Sequence, residues 1–404
     1  MTRLPDPAAL AAHYSRFAVA ERLLLTGHSH QAWPDVAREG QVQAYDDAAL
    51  AVDTKWERAF AKAEAVRSGV RALLGEADAD VALGASTHEL LVRLLSALDL
   101  QARPRLVTTD GEFHSARRQL DRLGEAGVEV VTVPAAPVTD LADRLAAQLD
   151  DRTAAVVVSS VMYETAHLVP GLDALARRAE RHGVELVVDA YHHLGVAPLD
   201  LAETGLTGAW VLGGGYKYLQ LGEGNCFLRV PGHAEGLRPL VTGWYAESGD
   251  LQPDPTDTSA DTSADTPAVA YARGAAAFAG ASYDPTSHYR AAAVLEFFAD
   301  QGLTPPVLRG VSLHQRGLLA AAVDDLDLPE DVLTRDRETP AAGFAGFLSL
   351  RSPYAARLSR GLAERGVHAD SRGEHLRLGP APYLRDDQLL AAVAALGEAA
   401  LALH

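Results

Sequence analysis

The chain has 404 residues but a single cysteine, Cys226, and that scarcity excludes whole classes of protein. One cysteine can build neither an internal disulfide framework nor a cysteine-based zinc site. Acidic residues outnumber basic ones by 54 to 36, and the formal charge of −18 argues against nucleic-acid or anionic-membrane binding, because both select basic patches. The N-terminal residues contain no signal-peptide core or membrane span, so we expect a cytoplasmic protein.

Lysine is nearly as scarce, because Lys55, Lys62 and Lys217 are the only three. Arginine cannot replace lysine where a deprotonatable amine must form a Schiff base. Lys55 and Lys62 share the polar face of a predicted helix, which is typical of solvated surface lysines. Lys217 instead stands between an apolar run and a glycine-rich turn, in WVLGGGYKYLQLGEG, and is the candidate for amine chemistry.

Several familiar signatures of enzymes are also missing. No GxGxxG follows a strand and opens a helix, GGGYK lacks the spacing of a P-loop, and there is no GxSxG elbow. The histidine pairs do not complete a ligand set, so no metal site is predicted. Cys226 falls inside an apparent strand, NCFLRV, where we expect a buried and inert thiol.

Short apolar runs alternate with helical stretches from about residue 53 to residue 245. Several runs are apolar on both faces, which is typical of a mostly parallel sheet covered by helices. We predict an α/β fold with a seven-stranded sheet in a large domain over 51–285, an N-terminal segment over 1–50 that packs with the small domain, and a small α+β domain over 286–404. The predicted strands of the sheet are DVALGA, RLVTTD, VEVVTVP, AAVVVSSV, VELVVDA, GAWVLGG and NCFLRV.

The segment that follows the predicted sheet differs in composition. Residues 249–267 are acidic and of low complexity, with a repeated TSAD, and predict a loop rather than a packed element. A helix is predicted next, over 272–282.

An acid lies at the end of one predicted strand, and a lysine follows another. Asp189 ends VELVVDA, and functional side chains in α/β sheets gather at the carboxyl ends of strands. Pyridoxal phosphate needs an acid that pairs with its pyridinium nitrogen and a lysine that holds its aldehyde as an imine. Asp189 and Lys217 supply those two groups, although a turn or helix-cap role also explains Asp189 taken alone.

A phosphate-binding element and a ring-stacking residue complete the pattern. Ser86 and Thr87 precede an apolar helical run, with Glu89 as a capping-box partner, and free amides at a helix start bind anions. An ordinary N-cap explains the same residues. Phe113 follows a predicted strand, where it is either a ring-stacking residue or part of the core.

DAYHHLG and GGGYKYLQLGEGN resemble the fold-type I pyridoxal-phosphate enzymes, and within them the kynureninase family of the class V aminotransferase group. GAST, EFHS, GWYAES, GHSHQAWP and GVHADSRGEHLRLGPAPYLRDD resemble further segments of that family, so the resemblance covers most of the chain. It implies pyridoxal 5'-phosphate as cofactor, a homodimer with shared active sites, and a small amino-acid substrate. The implied reaction cleaves the Cβ–Cγ bond of a kynurenine-like amino acid and yields an aromatic acid, such as anthranilate, and L-alanine.

The resemblance also implies a role for individual residues. Lys217 would form the imine and later move protons, Asp189 would pair with the ring nitrogen, and His192 would lie near the phenolic edge of the cofactor. Phe113 would stack on the ring. Phosphate binding is implied for Ser86, Thr87 and Tyr216, and Tyr216 is also a candidate acid–base group. Contacts with cofactor or substrate, from either subunit, are implied for Trp244 and Thr266, and substrate binding for His28, Ser29 and Arg377, the last as a bidentate clamp on the α-carboxylate.

Departures from the family pattern fall around the substrate. Glu164 stands in Met-Tyr-Glu-Thr-Ala where the family has Asn-Tyr-Arg-Thr-Gly, and Glu247 stands where a histidine is usual.

The same cofactor chemistry serves an aminotransferase that uses a keto acid, which is the first alternative. The second alternative is a non-catalytic protein that binds the cofactor or an amino acid. The acidic 249–267 segment is expected to line or gate the substrate entrance.

Overall fold

The computed structural model describes residues 4–248 and 269–403. The predicted loop over 249–267 and the candidate Thr266 lie outside the described residues. Helices occupy α1 (Pro7–Ala11), α2 (Val36–Leu50), α3 (Lys55–Leu73), α4 (Thr87–Ala97), α5 (His114–Glu125), α6 (Leu141–Ala146), α7 (Leu172–Arg181), α8 (Tyr245–Ser248), α9 (Thr286–Asp300), α10 (Pro305–Asp325), α11 (Ala355–Glu364) and α12 (Asp386–Leu401).

Strands alternate with these helices through the first part of the chain. They are β1 (Leu23–Leu24), β2 (Asp80–Gly84), β3 (Arg105–Thr109), β4 (Glu129–Val133), β5 (Thr153–Ser159), β6 (Glu185–Asp189), β7 (Trp210–Gly214), β8 (Cys226–Val230), β9 (Leu348–Arg351), β10 (Val367–His368), β11 (Asp370–Arg372) and β12 (His375–Leu378). Each of the seven runs predicted for the sheet overlaps one of the strands β2–β8, and only β5 begins a residue before its predicted run.

A seven-stranded sheet in the order β2-β8-β7-β6-β5-β3-β4 forms the centre of the molecule. The pairs from β4 through β7 are parallel, and both pairs that involve β8 are antiparallel, so β8 runs opposite to the other six strands. Successive side chains of β5 enter different cores, with Val156 and Val158 on one face and Val157 on the other. The predicted mostly parallel α/β sheet with helices on both faces is therefore confirmed.

The C-terminal part builds a small antiparallel sheet, in the order β11-β12-β9. The N-terminal segment packs with this C-terminal part, because β1 and β10 form a separate parallel two-stranded sheet and Thr26 bridges to Gly379. Helix α9 packs against α2 and α3. The domain boundaries at 50/51 and 285/286 stay a prediction, and this contact links residues from all three predicted parts.

The helix predicted over 272–282 is wrong, because the chain there forms only a 3-10 helix at Gly274–Phe278. Gly274 has φ +60°, in the left-handed region, and the carboxylate of Asp80 fills the space that a Cβ would need. Asp80 also accepts a hydrogen bond from Ala275 N at 2.6 Å. These contacts fix the backbone against the sheet.

Over the described ranges, no helix is both long and apolar enough to cross a membrane.

Candidate active site

A cavity of about 250 Å³ opens at the carboxyl ends of β5, β6 and β7, the edge where α/β proteins place their functional groups. The N-terminal ends of α4 and α5 close two of its sides. Its lining consists of Ala85, Ser86, Thr87, His88, Phe113, Ser115, Ser159, Val161, Tyr163, Asp189, Tyr191, His192, Tyr216, Lys217, Glu223, Gly224 and Cys226. Seven of the predicted site residues therefore line one cavity: Ser86, Thr87, Phe113, Asp189, His192, Tyr216 and Lys217.

Lys217 follows β7 and points its amine into this cavity. Its side chain is buried, and Nζ lies 2.6 Å from Nε2 of His192. Burial lowers the pKa of Lys217 to about 7, against the opposing effect of the negative charge of Asp189. A large fraction of the amine is therefore neutral near pH 7, which is the form that attacks a carbonyl carbon.

Asp189 and His192 flank the amine. Asp189 Oδ1 accepts a hydrogen bond from Tyr191 N at 2.8 Å, which fixes the carboxylate at the end of β6. The carboxylate is deep in the protein but accessible from the cavity, and burial raises its pKa although Tyr191 N and Lys217 act in the opposite direction. Burial also lowers the pKa of His192 well below its usual value, so this imidazole is neutral.

Three aromatic rings surround the Lys217 amine. Nζ lies 5.2 Å from the ring centroid of Phe113, 4.4 Å from that of Tyr191 and 5.6 Å from that of Tyr216. Phe113 is the residue before α5, so its ring faces the cavity instead of entering the core beneath. A flat heteroaromatic ring bonded to Lys217 would meet apolar faces on more than one side.

The start of α4 forms the opposite end of the cavity. Ser86 is the N-cap, and its Oγ accepts a hydrogen bond from Glu89 N at 3.2 Å. Glu89 Oε2 accepts in turn from Ala85 N at 3.0 Å, one residue earlier than in the predicted capping box. The ordinary capping role of Ser86 is therefore present. It coexists with a helix N-terminus that faces the cavity and favours an anion there.

Arg377 lies in β12 and is almost fully buried. Asp370 accepts hydrogen bonds from Arg377 Nε at 2.9 Å and from Nη2 at 2.6 Å, and the carbonyl of Tyr163 accepts from Nη1 at 2.6 Å. His28 joins the same group through Nε2, 2.8 Å from Asp370 Oδ1. Ser29 is different, because its hydroxyl donates to the carbonyl of Thr26 within a local turn.

Trp244 lies outside the cavity lining within its own chain. Its ring is 43% exposed and stacks on Tyr245 at a centroid distance of 4.0 Å. A contact with the site of a neighbouring subunit stays a prediction for Trp244. Thr266 falls outside the described residues.

Glu164 and Glu247 are the two acids that depart from the family pattern. Glu164 Oε1 accepts a hydrogen bond from the hydroxyl of Tyr163 at 2.9 Å, and Glu247 is exposed.

Sequence reasoning missed four residues of this region: Glu112, Ser159, Tyr191 and Asp370. Glu112 is a buried acid whose Oε2 accepts a hydrogen bond from Ser159 Oγ at 2.6 Å, and burial raises its pKa to about 7. Tyr191 lies inside the quoted DAYHHLG motif and Glu112 inside EFHS, so motif position was an available signal for both. Asp370 had no local signal, since its role depends on its pairing with Arg377 across two strands.

We predict that Gly379→Ala destabilises the protein, because a Cβ at Gly379 would overlap Nδ1 of buried His28. Overpacking of this kind costs about 1–3 kcal/mol of unfolding free energy. Gly317→Ala is the matched control, since a Cβ at that position in α10 has nothing within 4 Å. Urea unfolding of both variants measures the difference, and equal midpoints would contradict the proposed close packing.

The comparisons with known proteins agree with this geometry. Residues 35–208 match the model of the family described as Aminotransferase class-V. A mutant of C-DES with glycine covalently linked to the pyridoxal-phosphate cofactor superposes with a TM-score of 0.81 at 18% identity, over 98% of this chain and 99% of that chain. The protein has the fold of the fold-type I pyridoxal-phosphate enzymes. An apo cysteine desulfurase from Thermococcus onnurineus NA1 has a TM-score of 0.78 at 15% identity, over 98% of each chain.

The curated relatives carry two different names, aminotransferase and kynureninase. An uncharacterized aminotransferase of Bacillus subtilis (strain 168) is 29% identical over 52% of this chain and 55% of its own length. A kynureninase of Pseudomonas fluorescens is 27% identical over 61% of each chain, and one of Geobacillus thermodenitrificans (strain NG80-2) is 27% identical over 59% of this chain and 52% of its own. The chain thus spans between about half and three fifths of the length of these relatives.

The family match and the cofactor-bound structures support pyridoxal 5'-phosphate as the cofactor, as the sequence predicts. The residues themselves fit this molecule. A buried, partly neutral amine for the aldehyde, a carboxylate for the ring nitrogen and a helix N-terminus for the phosphate lie around one cavity. The cavity also has the aromatic rings that a flat pyridine needs on its faces.

Proposed function

We propose that this protein is a pyridoxal-phosphate-dependent hydrolase that cleaves the Cβ–Cγ bond of L-kynurenine or a related amino acid. The products are an aromatic acid, anthranilate for kynurenine, and L-alanine. The observation that carries the proposal is the Lys217 amine, which is buried, has a pKa near 7 and faces Asp189 across one cavity. The reaction class rests on the similarity to two kynureninases and on the chemistry of the described side chains.

The proposal assigns a role to five residues that line the cavity. Pyridoxal phosphate, when bound, supplies an electron sink for negative charge at the α-carbon of the substrate. Asp189 would pair with the ring nitrogen, Phe113 would stack on one ring face, and Ser86 and Thr87 would hold the phosphate at the start of α4. Lys217 would hold the cofactor aldehyde, and its amine is placed to move protons at the α-carbon of the substrate.

Proton transfer depends on the pair formed by Lys217 and His192. Their nitrogens are 2.6 Å apart, and both groups are held toward the neutral form by burial. A neutral Lys217 accepts a proton without first losing one to solvent, which is the condition for a general base near neutral pH. Burial raises the pKa of Tyr216, so its hydroxyl stays protonated and has a proton to donate to a ligand in the cavity.

Cysteine desulfurase chemistry is disfavoured for this chain although the fold is shared. Such a reaction needs an exposed, mobile thiolate, and Cys226 is the only cysteine of the sequence. Its side chain is buried in β8, and burial raises its pKa to about 12, so the thiol stays protonated. This supports the expectation of an inert thiol and leaves Cβ–Cγ hydrolysis and transamination as candidates.

An aminotransferase is the second candidate, favoured by the family match and by the Bacillus subtilis relative. It would use the same cofactor and the same Lys217, but it would need a keto acid to accept the amino group. The non-catalytic alternative has no separate structural observation in its favour. It remains an outcome of the assay below.

We also propose that the protein forms a homodimer with the cavity near the subunit contact. Large apolar side chains are exposed at the end of α2 and in the segment before α8. They are Tyr45, Leu50, Val52, Leu240, Val241 and Trp244, with exposed fractions between 43% and 85%. Where such side chains form one contiguous patch, the patch marks a protein–protein contact, whereas single exposed apolar residues do not. Analytical ultracentrifugation of the purified protein measures its mass in solution and so tests whether it is a dimer.

The central experiment mixes cofactor-loaded protein with L-kynurenine and records anthranilate fluorescence, with 3-hydroxykynurenine assayed in parallel. We expect anthranilate and L-alanine in equal amounts, without any requirement for a keto acid. Turnover that requires a keto acid and leaves the amino group on the cofactor would favour the aminotransferase. Loss of cofactor colour with amino acids but without product would favour the binding protein.

A further inference from the structure

The pairing of Arg377 with Asp370 is built into the small sheet. The two residues are direct partners in the antiparallel register of β11 and β12, so their side chains project from the same face. Asp370 accepts from Nε and Nη2 of Arg377, which occupies one complete fork of the guanidinium. Because Arg377 is buried, this bidentate contact restricts both the position and the plane of the guanidinium group.

His28 and Arg372 are the other polar side chains that face Asp370. His28 Nε2 lies 2.8 Å from Asp370 Oδ1, and Arg372 Nη2 lies 3.7 Å from Oδ2. Burial would raise the pKa of Asp370, but the hydrogen bond from His28 and the charge of Arg377 hold it well below its usual range. The ionised carboxylate of Asp370 can only accept hydrogen bonds, so the hydrogen bond between the two residues is donated by His28 Nε2. Burial lowers the pKa of His28 to about 4, so the imidazole is neutral.

The guanidinium still has N–H groups without an acceptor among the described residues. Arginine carries five N–H donors. Three of those of Arg377 are given to Asp370 and to the carbonyl of Tyr163, which leaves one on each terminal nitrogen. Arg377 is not itself part of the cavity lining, but Tyr163, which accepts from its Nη1, is. The guanidinium carbon lies 5.6 Å from the ring centroid of Phe347, and that ring lies 6.2 Å from the ring of His192, the neighbour of the Lys217 amine.

We propose that Asp370, held by His28, is a positioning residue that fixes Arg377 so that its two remaining terminal N–H groups receive the carboxylate of the amino-acid substrate. This inference rests on the proposed function, and it names a residue that acts through Arg377 rather than on the substrate. Alternatively, the carboxylate of Asp370 competes with the substrate carboxylate for Arg377. In that role it neutralises the guanidinium and weakens substrate binding. The two roles predict opposite effects of removing the charge of Asp370.

Asp370→Asn distinguishes the two roles in a binding measurement. The cofactor-loaded protein is titrated with L-alanine and, separately, with L-alaninamide, which has the same amine but no carboxylate, and cofactor absorbance is recorded. Losing one partner of a buried charge pair is costly, so we expect the Kd for L-alanine to rise at least about tenfold. The Kd for L-alaninamide should stay within about twofold, because it does not use Arg377.

Glu76→Gln is the matched control. Glu76 forms a bidentate pair with buried Arg229, through Nε at 2.8 Å and Nη2 at 2.5 Å, and neither residue lines the cavity. The Glu76→Gln variant reproduces the general loss of stability that follows when such a pair is broken. It should leave the Kd values for L-alanine and for L-alaninamide unchanged. His28→Gln is the second variant, and we expect a smaller rise in the Kd for L-alanine alone, which keeps the test usable if Asp370→Asn does not fold.

Each outcome has one meaning. Tighter binding of L-alanine by Asp370→Asn would overturn the positioning role and identify Asp370 as a competitor. Equal changes for L-alanine and L-alaninamide, or no change for either, would overturn it as well. A wild-type protein that binds no pyridoxal phosphate, or whose loaded form responds to no amino acid, would overturn the proposed function itself, and that failure is visible before any variant is made.

Discussion

Replacing Lys217 by alanine is expected to abolish turnover and the covalent attachment of pyridoxal phosphate. The amine is the only lysine of the cavity lining, and its burial keeps much of it neutral near pH 7. An alanine supplies neither the bond to the cofactor nor a base for proton transfer. General acid–base catalysis alone contributes about 10²- to 10⁴-fold, so we expect a loss of at least that size.

Borohydride reduction followed by peptide mass analysis measures the attachment directly. Wild-type protein should carry the reduced cofactor on the peptide that contains Lys217, and the alanine variant should carry none. Lys62→Ala is the control, because that lysine lies in α3, outside the cavity lining, with its Nζ 5.6 Å from the ring centroid of Tyr289. Cofactor found on Lys55 or Lys62, or turnover retained without Lys217, would contradict the central assignment.

Much of this arrangement could be predicted from sequence because its determinants are local. Asp189 and Lys217 each follow an apolar run, and the end of a buried strand in a parallel sheet places a side chain at one common edge. Ser86 and Glu89 specify the start of α4 within four residues. Position and chemistry alone left a cap or turn role open for Asp189 and Ser86, and the resemblance to pyridoxal-phosphate enzymes assigned both to a site with Lys217. The structure brings these three residues to one cavity.

The network behind Arg377 could not be predicted in this way. Its hydrogen bonds join His28, Tyr163, Asp370 and Arg377, which come from distant parts of the chain. Which residue of β11 faces Arg377 depends on strand register, and a shift of one residue would turn Asp370 to the other face. An arginine expected to be free for substrate therefore has an internal partner, which single-residue chemistry does not reveal.

Asp189→Asn is expected to have the second-largest effect, because it removes the charge of the ring partner while keeping its shape. Losing one partner of a buried, hydrogen-bonded charge pair costs about 2–5 kcal/mol. Each 1.4 kcal/mol is about tenfold, so turnover should fall about 30-fold to about 4,000-fold. Tyr191 N still has an oxygen to donate to, since asparagine keeps one acceptor at this position.

Glu112→Gln is a demanding control for this prediction, because Glu112 is also a buried acid beside the cavity. Its carboxyl is bound to the hydroxyls of Ser159 and Thr109, and burial raises its pKa to about 7. Below that pH it is largely neutral already. In the glutamine variant Oε1 still accepts from Thr109 Oγ1 and Ser159 N, and only the Ser159 hydroxyl has to reverse its role and accept from the amide. A small effect of Glu112→Gln beside a large effect of Asp189→Asn, in turnover and in the absorbance of the bound cofactor, would locate the essential negative charge at the end of β6. Equal effects would mean that the protein needs the summed charge of the two acids, and the assignment of Asp189 as the specific ring partner would be wrong.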